Sequence, residues 1–274
     1  MYTSAPFKQN WGDDLDLPKY YFGGSPFKTH FLHALSLVFP VGEKFFIDSV
    51  KQYKDRITDP VLKEQVAVFI KQESWHTHAH RQYNDWVKRQ GLPANTITEI
   101  SHLKTEKLKK IQPTIVWLET TVAIEHLTAM ISAHHLSNEH RIKDVNPHFR
   151  ELWEWHMIEE IEHKAVAMDV LNTVGRIKDL KSRRLVYFYG TVLIFTNIFQ
   201  YTLLLLKADK QLWKFRTLKD MIVYFFGPRH GLLTHIFIPW LKGFKKDFHP
   251  NDIDDSHLLK KYYVSNATKS VHTP

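Results

Sequence analysis

Between residues 149 and 174, Phe149, Leu152, Ala167, Val170 and Val174 recur in steps of three and four. That period belongs to one face of an α-helix turned toward a core. The central positions of the same stripe are His156, Glu160 and His163. At about 100° per residue these three fall within an arc of roughly 60°. Ionisable side chains seldom enter a core unless they are paired or hold a metal. The pattern therefore asks for partners on other helices.

Three further segments carry apolar stripes interrupted in the same way. One helix is predicted over Val41–Arg56, continuing an apolar stretch from His30 across Pro40, with the stripe Glu43, Phe46, Val50, Tyr53, Ile57. A second is predicted from Pro60, a first-turn residue with Asp59 before it as a cap, to Gln90, where Gly91-Leu-Pro93 stops it. Its stripe is Leu62, Val66, Phe69, Glu73, His76, His80, Tyr83, Val87. A third is predicted over Pro113–His135, with Ile115, Leu118, Val122, Glu125, Ala129 and Ser132. The basic stretch 94–112 between them reads as a connection with a surface helix, and the fourth helix starts after Asn146-Pro147. Glycine is scarce and no long run alternates apolar with polar, so the expected class is all-α.

Each predicted core helix thus places a carboxylate on its apolar face, and two add histidine three residues later: Glu73-Ser-Trp-His76 and Glu160-Ile-Glu-His163. One Glu from each of two helices plus Glu-x-x-His from the other two is the ligand set of ferritin-like di-metal bundles. The candidate metal ligands are Glu43, Glu73, His76, Glu125, His156, Glu160 and His163. His80, Glu119, His126 and Glu159 are candidates for orienting the ligands or adding to them. Glu119 and His126 share a different face from Glu125, whose stripe carries the heavier apolar residues. Buried salt bridges with Lys or Arg would not explain why histidine accompanies the carboxylates. Catalytic residues beyond the ligands are not identifiable from the pattern.

Four segments resemble a bacterial family labelled predicted metal-dependent hydrolases. They are Phe39-Pro-Val-Gly-Glu43-Lys-Phe-Phe46, Gln72-Glu-Ser-Trp-His76 followed by His80, Ile124-Glu-His-Leu-Thr128, and Trp155-His156 with Glu159-Glu-Ile-Glu-His-Lys-Ala-Val-Ala-Met-Asp169. The label implies hydrolysis. The order His156, Glu160, His163 is also similar to the ligand pattern of di-iron arylamine N-oxygenases, a likeness confined to the ligands.

Composition narrows the chemistry. The absence of cysteine excludes disulfides and thiolate metal sites, so a metal would sit on His and carboxylate. Two iron ions are the expected cofactor, with manganese or zinc as alternatives. The leading expectation is an O2-activating oxygenase or oxidase drawing on an electron donor and acting on a small, apolar or lipid-like substrate. The alternatives are a metal-dependent hydrolase with a bridging-water nucleophile and a non-catalytic metal-binding bundle.

The last third changes the picture of location. Leu185–Leu206 is 22 residues without a charge, which as a helix would span roughly 33 Å. A second apolar stretch, Met221–Leu241, is broken at Gly227-Pro-Arg-His-Gly231. Basic residues flank the first stretch on both sides, which does not fit a simple crossing with positive charge on one face. The net charge of +8 suggests an acidic partner, but no nucleic-acid recognition motif is present. Met1–Tyr21 does not resemble a signal peptide. The expectation is a cytoplasmic protein, membrane-associated through 185–241. The expected divisions are an irregular arm over 1–27, a ferritin-like four-helix bundle over 28–176, additional C-terminal apolar helices over 177–248 and a loosely attached polar tail over 249–274.

Overall fold

The computed structural model describes residues 5–12, 15–174 and 180–271. All of the regular elements among them are helices. The ligand-bearing helices are α1 (Pro26–Lys51), α2 (Pro60–Arg89), α4 (Thr114–Leu136) and α5 (Pro147–His163), with α3 (Ala94–Ile111) between α2 and α4. A short α6 (Val166–Thr173) follows α5, then α7 (Leu180–Ala208), α8 (Phe215–Phe226), α9 (Leu232–Lys242) and α10 (Ser256–Val271). The expected boundary at 176–177 and the first residues of the arm lie outside the described residues.

Local chemistry starts these helices, at α2 and α5 where the sequence signals say and at α1 earlier than expected. The Ser25, Asp59 and Asn146 side chains each accept a hydrogen bond from a first-turn backbone N–H, and Pro26, Pro60 and Pro147 occupy the first helical positions. There the missing proline N–H costs nothing. α1 packs along α2, α4 along α5, and α1 against α4. Two apolar clusters result. The larger gathers Tyr21, Phe27, Phe31, Tyr83, Trp86 and Phe149, and the smaller gathers Phe46, Phe69, Leu118 and Val170.

Pro40 lies inside α1, which runs unbroken from Pro26 to Lys51 rather than beginning near Val41. Lacking an N–H, Pro40 cannot bond the carbonyl four residues earlier, that of Ser36. The Asn84 side chain of α2 fills the gap, donating from Nδ2 to that oxygen at 2.9 Å. The helix defect thus becomes a point of attachment between α1 and α2.

Two other expectations need correction. The fourth stripe does not form one helix to Val174: the chain breaks after His163 and restarts as α6 at Val166. At the break, Lys164 turns its ammonium to the Ile253 carbonyl at 2.6 Å and to Asp255 at 2.7 Å. The tail is not loose either. It contains α10, which packs on α5 through buried Leu258, and Tyr263 donates to Glu162 at 2.6 Å. The described residues of the N-terminal arm are anchored as well. Gly23 and Asn146 exchange backbone bonds with Asp144 and Tyr21, and the Tyr21 ring stacks on Phe149 at 3.8 Å.

α7 is long and apolar enough, by length and composition, to cross a membrane, but only a third of its most apolar stretch is buried. Tyr187, Thr191, Ile198, Tyr201, Thr202 and Leu205 form its buried face, packed on α1 and α4.

The Tyr83 hydroxyl sits fully buried between the Tyr21 hydroxyl and His33 Nδ1, both at 2.6 Å. Tyr83→Phe would strand two buried polar partners, a loss of about 1–3 kcal/mol. Denaturant unfolding should show that decrease with an unchanged slope, and a midpoint equal to wild type would contradict the account.

Candidate metal centre

The four ligand-bearing helices turn their interrupted stripes toward one another. Glu43 comes from α1, Glu73 and His76 from α2, Glu125 from α4, and His156, Glu160 and His163 from α5. None of these residues is more than 3% exposed. One ligand-sized group contains Glu73, His76, Glu160 and His163, and another contains Glu43, His76 and His156, so His76 belongs to both. Glu125 joins through His163, whose Nδ1 is 3.0 Å from Glu125 Oε2. The Nε2 of His163 is 3.2 Å from Glu73 Oε1.

The other candidates divide into two sets. Glu159 Oε2 lies 2.9 Å from His76 Nε2. His76 Nδ1 faces Glu160 at 3.6 Å and Glu73 at 3.9 Å, and neither ring nitrogen of His76 makes a hydrogen bond. His80 bonds His156 Nδ1 at 2.8 Å. Glu119 and His126 do not join the cluster. They line a small cavity with Arg183, Tyr187 and Phe248 on another side of α4, because their positions are out of helical phase with Glu125.

Three positioning residues were not picked out by the stripes. Thr77 donates to Glu43 Oε2 at 2.8 Å and fixes that carboxylate. Ser36 and Asn84 complete a relay behind His156. Asn84 Nδ2 is committed to the Ser36 carbonyl, so its Oδ1 faces the Ser36 hydroxyl, 2.6 Å away, and accepts from it. The hydroxyl oxygen must then accept from His80 Nδ1 at 2.8 Å. Neutral His80 has a bare Nε2, which accepts from His156 Nδ1. The last member, His156 Nε2, faces Glu160 Oε1 at 3.1 Å. The relay was partly visible as the four-residue ladder His76, His80, Asn84, and Thr77 stands one turn after Glu73.

Electrostatically the cluster is under-compensated. Burial, then the neighbouring carboxylates, pushes Glu73 well above the usual carboxylate range. Burial also raises Glu43, against the opposing Thr77 hydrogen bond. Burial raises Glu125 to about 7 although His163 pulls it down. Burial would raise Glu160 too, but the His156 hydrogen bond and three imidazoles hold it at about 2. His76 and His80 are held well below the ordinary imidazole value by burial and by neighbouring imidazoles. His163 rises to about 9 because Glu125 outweighs burial. Glu43 Oε1, both Glu73 oxygens, Glu125 Oε1 and Glu160 Oε2 are buried without a hydrogen-bond partner. Partnerless carboxylate oxygens beside buried imidazoles are what divalent cations satisfy, and four carboxylates balance the charge of two such ions. The residues present therefore fit a metal centre.

Helical architecture and this buried Glu/His cluster together define a metal-binding α-helical protein. Residues 7–254 match the model of a family described as predicted metal-dependent hydrolase, and the chain belongs to that family. No curated protein and no solved structure matches the chain.

The proton balance predicts how the metal-free protein responds to pH. Glu125, Glu43, Glu73 and His163 hold protons in the fold at pH values where the unfolded chain has released them. Their contribution is lost as pH rises through the folded values. The depressed His76 and His80 are neutral in both states above pH 7 and add no slope there. The thermal midpoint of metal-free protein should fall between pH 7 and pH 9, and a flat or rising midpoint would count against this balance.

Proposed function

We propose that the protein is a metal-dependent hydrolase with a two-metal carboxylate centre, acting on a small-molecule substrate. The observation that carries this reading is the buried set of partnerless carboxylate oxygens and clustered imidazoles, in a chain of this family. Glu43, His76 and His156 would hold one ion, and Glu125 and His163 the other. Glu73 and Glu160, which approach imidazoles of both groups, would be shared. Bound there, a pair of divalent ions would lower the pKa of water and polarise a scissile carbonyl or phosphoryl group.

The chain's own residues would prepare the site for that chemistry. In the Asn84–Ser36–His80 relay His156 Nδ1 donates to His80, so Nε2 is the nitrogen that faces the centre, 3.1 Å from Glu160. The relay thus sets the orientation of the His156 ring before an ion arrives. Thr77 holds one oxygen of Glu43, leaving Oε1 as its donor atom. The dry surroundings, with Phe39 stacked on His156 and Phe69 edge-on to His163, keep bulk water from screening the centre.

An O2-activating di-iron site was the leading expectation from the ligand pattern. The family description gives it no support and favours hydrolysis. Iron, manganese and zinc all suit this ligand set.

Protein produced with metal supplied should carry about two equivalents of divalent metal by elemental analysis. Glu160→Ala and His76→Ala should each lose at least half of it while keeping the helical signal. Absence of stoichiometric metal in the wild type would overturn the centre. A panel of ester, phosphoester and amide substrates, tested with each reconstituted metal, should show turnover that a chelator removes. Reductant-dependent O2 consumption without hydrolysis would instead establish the oxidative reading. Metal binding without either activity would leave a non-catalytic centre.

Asn84→Leu breaks the relay at its outer end, far from the ligands. It should weaken metal affinity by about 10-fold, the lower end of what loss of ligand-orienting contacts costs. Competition with a chromogenic chelator measures this, and unchanged affinity would show that the relay does not set the His156 donor.

A further inference from the structure

We propose that the α7–α9 face docks in the plane of an anionic lipid bilayer, with the loop between α7 and α8 as its leading edge. The inference does not depend on the hydrolase reading. Seventeen large apolar side chains are exposed among the described residues, and thirteen of them lie between 185 and 241. Aromatic contacts tie together the three helices that carry them. Phe188 of α7 lies 6.2 Å from Trp240 of α9, and Phe237 stacks on the same ring. Phe225 of α8 packs against Phe195 and Phe199 of α7, with exposed Phe226 beside it. Trp213, in the turn between α7 and α8, and Phe215, the first residue of α8, are 83% and 82% exposed.

The charge pattern specifies the partner. Residues 180–246 contain twelve Lys and Arg against two Asp, whereas the rest of the chain has 25 against 27. The whole positive excess of the protein therefore resides in the segment that exposes the apolar side chains. Lys214 and Arg216 alternate with Trp213 and Phe215. Aromatic rings flanked by cations suit the boundary between acyl chains and anionic headgroups. A second copy of the chain fits poorly, since a two-fold interface would set this cationic segment against itself. A nucleic acid would satisfy the cations and leave the apolar surface without a partner.

The packing of α7 sets the orientation. One face, ending in fully buried Leu205 and Leu206, lies on α1 and α4. Lys104 of α3 bonds Asn197 at 2.5 Å, and Trp240 bonds Thr191 at 3.0 Å. α7 is thus held along the body of the protein with its other flank outward. Basic residues at both ends, Lys181, Arg183 and Arg184 against Lys207 and Lys210, suit two ends at the same surface.

The test uses the full chain with vesicles of phosphatidylcholine alone or mixed with phosphatidylglycerol. Sedimentation should show binding at least 10-fold tighter to the anionic vesicles, and weakened by raising salt. Trp213→Ser/Phe215→Ser removes two exposed side chains with little packing role. It should reduce binding at least 10-fold while thermal midpoint and metal content stay at wild-type values. An alkaline carbonate wash should release the wild-type protein. Failure to bind anionic vesicles, or binding that ignores the double substitution, would overturn the proposal. So would retention after the carbonate wash, which would mark an embedded span. A stable dimer in ultracentrifugation, split by the same double substitution, would assign the face to a second copy instead.

Discussion

Carboxylates from four helices are forced together where water cannot screen them, and much of the structure follows from that repulsion. An isolated buried carboxylate is costly, and neighbouring ones of like charge are worse. The protein limits the cost in three ways: imidazoles interleaved with the carboxylates, raised pKa values at Glu43 and Glu73, and polar anchors such as Thr77. Carboxylate oxygens still remain buried without partners, and that is the feature of the cluster that suits cations. Energy that might have gone into a purely apolar core is held in reserve for ligand binding.

The irregular parts of the fold bear on this centre. Pro40 weakens α1 four residues beyond Ser36, and the freed carbonyl captures Asn84. The break after His163 lets Lys164 leave the helical path and tie α5 to the segment before α10. In both places a backbone defect is converted into a contact that steadies a helix carrying ligands. α10 adds a cover over α5, so the most ligand-rich helix is supported from behind.

Much of this was legible in the sequence because helical period and ligand spacing are local properties. Glu73-x-x-His76 and Glu160-x-x-His163 are fixed by one turn of helix, and the capping residues and prolines fixed the starts of α2 and α5, whereas α1 begins at Pro26, well before the expected Val41. The convergence of Glu43 and Glu125 on those motifs needed only the apolar stripes. The parts that were not legible depend on contacts between distant segments. Ser36 looks like an ordinary small helical residue until Asn84, 48 positions later, is placed beside it. Polar residues after 249 read as a loose tail because their partners, Lys164 and Glu162, lie about ninety residues or more upstream. The end of α5 was missed for the same reason: the stripe continues in period through Ala167 and Val170, while the break is tied to a contact from far along the chain.

Asn84 has a further consequence. It lines an open groove of about 710 Å³ between α1, α2 and α3, alongside Pro40, Arg81 and Lys88. The innermost end of its relay is the fully enclosed His156. The orientation of a deeply buried imidazole is therefore set from the protein's rim, where evolution can retune a sealed centre by changing side chains that never approach it.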